Sequence, residues 1–213
     1  MQILLRNVLI CLAAALVIVW VHARRKGRPV ATLYHAFVVS LLMMMTCVFS
    51  LTGVSPISGF HTDVRLDEIN WTPFVGMLDI LRDGWSFYSV SNILGNILLF
   101  RPLGCLAPVV STRLGRFWKT ALLGLGVSLW IECTQLFLTR GTDVDDLILN
   151  TAGAMLGFAL YALCRRVFPR LAEGLRAEAE ASSGTLLLAL CLLIPYAVCV
   201  AGGFYDRFVY FSS

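Results

Sequence analysis

The sequence predicts an all-α, polytopic membrane bundle of about six transmembrane helices, with a short interfacial helix in its long outer loop. Three observations carry that expectation. Of the 213 residues, 58% are hydrophobic and only 14% charged, against about 25% charged in an ordinary soluble domain. The apolar residues gather into six runs, each near the roughly 20 residues a helix needs to cross the hydrocarbon core. The cations crowd into alternate connections between those runs. A single membrane domain over residues 1–213 accounts for the chain, without a soluble domain or a low-complexity tract.

The first run, Ile3–Val21, leads directly into Arg24, Arg25 and Lys26, which fit a retained anchor better than a cleaved leader. The second is Ala31–Leu51. In the long loop that follows, Val75, Leu78 and Leu81 recur at helical spacing, while Trp71, Trp85 and Tyr88 suit the headgroup level. Val75–Asp83 therefore reads as a short helix on the membrane surface. The third run, Ser91–Val110, sets Asn92 and Asn96 on one helical face and contains Pro102, which removes a backbone donor. Arg101 lies within the bilayer on these bounds, or reaches the inner interface if the helix starts near Trp85. The fourth run, Lys119–Leu138, carries Glu132 and Gln135. The fifth, Asp146–Cys164, is preceded by Asp143 and Asp145, acids that a helix N-terminus favours. Its Gly153-x3-Gly157 has the spacing of a close helix–helix contact. A connector over 165–183 is amphipathic and mixed in charge. Its Leu171 and Leu175 suit a helix on an anionic inner leaflet or a solvated linker. The sixth run is Thr185–Gly203.

Charge placement orients these runs. Arg24, Arg25, Lys26 and Arg28 follow the first, Arg113, Arg116 and Lys119 the third, and Arg165, Arg166, Arg170 and Arg176 the fifth. These are eleven of the 17 lysines and arginines. Such connections face the cytoplasm, so both termini, the long loop and the turn around Arg140–Asp145 are expected outside the cell. The formal charge of +4 follows topology and gives no reason to expect a nucleic-acid partner. All seven cysteines lie in or beside apolar runs without C-x2-C spacing, and read as small packing residues. His22, His35 and His61 are scattered, so no metal or other cofactor is expected.

The chemistry concentrates in one string, Glu132-x2-Gln135-x4-Arg140-x2-Asp143-x2-Asp146-x3-Asn150-x2-Gly153-x3-Gly157. Its two ends lie within membrane runs, where an ionisable side chain is costly and marks a candidate functional site. At about 1.5 Å per residue, Gln135 lies about 5 Å, Asn150 about 6 Å, Asn96 about 8 Å and Glu132 about 9 Å from the outer ends of their runs. The candidate site is Asn92, Asn96, Glu132, Gln135, Arg140, Asp143, Asp146 and Asn150. The amides orient a polar ligand without the desolvation cost of a charge. A lone buried carboxylate is disfavoured as the anion, so Glu132 calls for a cation, and Arg140 and Arg101 are the candidates. Structural roles compete with these: Asp143 as an N-cap, Asn–Asn and Asn–Gln bonds as helix packing, and an Arg–Glu clamp.

Two function classes fit. A binding protein would use this pocket for an anionic or amide-rich lipid headgroup, a lipid-linked cell-wall precursor, or an antibiotic at the membrane. An intramembrane hydrolase or transferase would use Glu132 as general acid or base, with Asp143 and Asp146 holding a divalent cation on substrate phosphate. The string has no serine or cysteine nucleophile beside a histidine, and Cys133 points away from its neighbour Glu132. No internal repeat favours a transporter.

Three motifs in order, Asn70-x2-Pro73-Phe74, Asn92-x3-Asn96-x3-Phe100-x-Pro102-x-Gly104 and the Glu132–Gly157 string, give the chain a resemblance to the VanZ-like family over about 70–161. Arg101 departs from the family pattern, which has an apolar residue there. The resemblance implies an integral protein of the bacterial plasma membrane, acting on the cell envelope and lowering susceptibility to teicoplanin, a glycopeptide with a lipid tail. It brings no established catalytic residues and no cofactor. Membrane lipids are the expected partners, and oligomeric state is left open.

Overall fold

The computed structural model describes residues 2–23, 29–57, 59–60, 70–74, 87–138 and 143–212. Among these residues the helices are α1 (Gln2–Ala23), α2 (Pro29–Leu51), α3 (Phe87–Val110), α4 (Phe117–Gln135), α5 (Val144–Val167), α6 (Pro169–Ala181) and α7 (Gly184–Ser212). A 3-10 turn at Thr112–Leu114 joins α3 to α4. The only pairing of strand type among the described residues is two isolated bridges, Phe60 with Leu138 and Asn70 with Asp143. The surface helix expected at Val75–Asp83 lies outside the described residues, as do Arg24, Arg25, Lys26, Arg28, His61 and Arg140.

Helices α1, α2, α3, α5 and α7 are long and apolar enough to cross a membrane, which makes the chain a multi-pass membrane protein. Their outward surface is oily, as lipid contact demands: Leu16 is 60% exposed and Leu163 58%. The remaining expected span, Lys119–Leu138, forms α4, a helix of 19 residues that is not among the helices long and apolar enough to cross a membrane. The reason is its inner stripe, on which Thr120, Ser128, Glu132 and Gln135 are buried among Gly124, Val127 and Ile131.

α2 is the central post. Its buried Tyr34, Val38, Leu41, Leu42, Met45, Val48 and Phe49 recur three or four residues apart, and α1, α3, α6 and α7 pack around it. α3 and α5 form the most extensive helix pair, and glycine makes that closeness possible. A Cβ added at Gly153 would lie 2.4 Å from the Ile97 carbonyl oxygen, and one at Gly157 would lie 2.0 Å from that of Arg101. At Gly104 it would meet the Ala154 carbonyl oxygen at 1.9 Å. Backbones in such contact gain dispersion energy that lipid cannot supply, the basis of the small-x3-small motif.

Two ends can be told apart. At one, the start of α1 and the end of α7 are joined by an Arg6–Asp206 ion pair, and Gln135 at the end of α4 reaches the Thr52 carbonyl after α2. At the other, the Tyr34 hydroxyl donates to the Val110 carbonyl (2.9 Å), and Ser111 and Thr185 share a hydrogen bond (3.2 Å). This second end carries Arg113, Arg116, Lys119 and Arg165 and is the basic end.

α3 begins at Phe87, four residues before the start its apolar pattern indicates, because aromatic headgroup-level residues continue a helix as readily as they end one. Arg101 then falls about 21 Å along α3, exposed and displaced toward the basic end. The connector is not a solvated linker: α6 docks on α2 with Leu175 and Ala179 buried.

Candidate functional site

A cavity of about 180 Å³ opens at the end opposite the basic one, lined by Asn92, Asn96, Glu132, Gln135, Asp146 and Asn150, with Ser91, Gly95, Ile131 and Thr52 between them. Six of the eight residues selected from sequence thus share one space, supplied by α3, α4 and α5. Asp143 is not part of the lining, and Arg140 lies outside the described residues.

α4 brings the wall. Ser128, Glu132 and Gln135 fall on one face of that helix by their spacing of four and three, and Glu132 and Gln135 are 3% and 2% exposed. The Gln135 amide donates to the Thr52 carbonyl (2.6 Å). From α5, Asn150 donates to the Ser128 hydroxyl (2.9 Å). From α3, Asn96 donates to the Asp146 carboxylate. These bonds each use the donor side of an amide. The acceptor oxygens of Gln135 and Asn150 are buried without a hydrogen-bond partner among the described residues. An unpaired buried acceptor costs about 1–3 kcal/mol, so the cavity presents two oxygens that a donor group would satisfy. With the Glu132 and Asp146 carboxylates beside them, the described lining is rich in acceptors and contains no cation.

The rim is built on the head of α5. Asp143 caps that helix, its carboxylate accepting from the Asp145 backbone N–H (2.9 Å) and from the Asn70 side chain (3.3 Å). The Asp143 backbone N–H in turn donates to Glu132 Oε2 (3.2 Å), so Glu132 ties the turn after α4 back onto its own helix. Phe74 holds a left-handed backbone conformation (φ 66°), costly for a bulky residue. Its N–H donates to the Asp145 carboxylate, which fixes it there. Asn70 and Phe74 thus both bond to the head of α5. The capping role weighed for Asp143 is the one its side chain performs. Among the described residues no group of three or more His, Cys, Asp and Glu is placed to hold a metal ion. Cys133 is exposed where Glu132 is buried, on a different face of α4.

Sequence reasoning missed Ser128 and Thr52. Ser128 had a readable signal, four residues before Glu132 on the same face. Thr52 had none, since it contributes a backbone carbonyl.

The VanZ/LLP1 family model matches residues 35–165, more than half of the chain and every residue that lines the polar cavity. Among curated proteins, Protein VanZ of Enterococcus faecium is 36% identical over 76 residues, which are 35% of this chain and 47% of that protein. The chain therefore matches about half the length of that relative. No solved structure matches.

Proposed function

This chain belongs to the VanZ/LLP1 family, and from that premise we propose that it binds the polar group of a lipid-linked envelope component in the small cavity. By that binding it lowers susceptibility to lipoglycopeptides such as teicoplanin. The alternating basic connections support the cavity end as extracytoplasmic, with both termini on that side.

The observation that carries the reading is the pair of buried, unpartnered amide oxygens of Gln135 and Asn150 in a lining of carboxylates and amides. Such a lining favours a group that donates hydrogen bonds: an ammonium, or the amide N–H groups of a peptide attached to lipid. Size narrows the choice further. A cavity near 180 Å³ is below the roughly 300–1,000 Å³ of drug-sized pockets, so it suits a terminal group better than a whole glycopeptide antibiotic.

The test compares wild type with Asn150→Leu and Gln135→Leu, at matched membrane abundance, for teicoplanin susceptibility of the host and for retention of lipid-linked precursor by the purified chain. Each substitution is expected to weaken retention about fivefold, one buried hydrogen bond's worth, and to restore susceptibility. Unchanged susceptibility and retention in both variants would exclude this cavity as the site.

The catalytic alternative, with Glu132 as general acid or base, is supported by burial of that carboxylate in the same cavity. Turnover of a lipid-linked substrate by purified protein, lost in Glu132→Gln, would favour it over binding.

A further inference from the structure

A cavity of about 540 Å³ lies at the basic end, between α6 and the ends of α3, α4 and α5. Its mouth carries five cations, Arg113, Arg116, Lys119, Arg165 and Arg176. Its floor is apolar, with Leu106 and Val109 of α3, Phe37 of α2 and Leu175 of α6, while Leu171 of α6 also lines it but is 40% exposed. The positive-inside rule explains why cations stand at this end; it does not explain why they surround a cavity with an oily floor.

Three further observations bear on what would fill it. Arg176 is paired with Glu180 (3.2 Å), but none of the other four cations has an acidic partner among the described residues, although Lys119 stands over the Trp118 ring at 5.6 Å. α4 and α6 both begin at this end, and neither has an acidic residue in its first turn, so their positive dipole ends are not neutralised locally. The volume is three times that of the polar cavity, within the range that takes a headgroup and the upper part of an acyl chain.

We propose that this cavity binds one anionic phospholipid of the inner leaflet, its phosphate among Arg113, Arg116, Lys119 and Arg165 and an acyl chain against Leu106, Val109 and Leu171. The cations alone would fit any phosphate. The apolar floor is what commits the site to a lipid, since a soluble anion would leave that surface wet. Because α6 forms one wall, the bound lipid fastens α6 to the ends of α3 and α5.

The test uses the full chain, purified and delipidated in detergent and then titrated with phosphatidylglycerol or phosphatidylcholine, with bound lipid counted by native mass spectrometry. One phosphatidylglycerol is expected to be retained in preference to phosphatidylcholine. Arg113→Gln and Arg116→Gln, both at exposed positions, should each weaken phosphatidylglycerol retention about fivefold and leave phosphatidylcholine unchanged. Leu106→Trp, which fills the floor, should lose the lipid with every cation still present. Equal retention of the two lipids would overturn the proposal, as would wild-type retention by both arginine variants. Displacement of the lipid by glycerol phosphate at near-stoichiometric concentration would assign the site to a soluble anion instead.

Discussion

At opposite ends of the bundle stand two cavities of contrasting chemistry, both lined by parts of α3, α4 and α5, with α6 lining only the basic one. Where α5 begins, Asp143 caps it and Asp145 and Asp146 occupy its first turn, so the positive helix terminus is answered within the chain. Where α4 and α6 begin, no acid does so, and arginines add to the positive potential. One cavity is small and rich in acceptors, with two amide oxygens that are buried without a hydrogen-bond partner among the described residues. The other is larger, cationic at the mouth and apolar within.

The α3–α5 contact is common to both cavities. Gly157→Val would push a side chain into the Arg101 carbonyl at the α3–α5 contact, costing about 3 kcal/mol or more. Folded yield by size-exclusion chromatography should fall, and both cavities should lose their ligands together. A chain that kept one binding activity would show that the ends fold independently. Next in size, Glu132→Ala strands the Asp143 backbone N–H and should cost about 2 kcal/mol in thermal unfolding. Glu132→Gln keeps an acceptor and should be near wild type in stability. Retention of phosphatidylglycerol should survive both substitutions, which separates the ends. Ser128→Ala takes the acceptor from Asn150 and should cost about 1 kcal/mol, again with the basic end intact. The smallest effect is expected at Arg176→Gln. Its pair with Glu180 is exposed, so stability should change by about 0.5 kcal/mol or less, and lipid retention should fall less than in Arg113→Gln.

The polar cavity was largely legible in the sequence because amides and carboxylates in an apolar run have few innocent explanations. Glu132, Gln135 and Asn150 announce themselves, and helical spacing aligns them. The start of α3 was not legible: Phe87 and Tyr88 are equally at home in a loop at the headgroup level and in a helix. Nor was the Asn70–Asp143 clamp, which joins residues 73 apart through side-chain geometry that no periodicity encodes. The basic-end cavity was hidden for a different reason. Its arginines already had an explanation in topology, and a residue that is explained once attracts no second question.

The polar stripe of α4 has a consequence for biogenesis. A segment that carries Glu132 and Gln135 and is not among the helices long and apolar enough to cross a membrane is a weak substrate for insertion on its own, since an acidic residue inside a membrane segment is costly. α5 follows after a short turn, covers the stripe and supplies Asn150 and the Asp143 N–H as partners. α4 and α5 are therefore expected to enter the bilayer as a hairpin. In glycosylation mapping, a nascent chain ending after Gln135 should leave α4 uninserted, and one extended through Val167 should place both helices across.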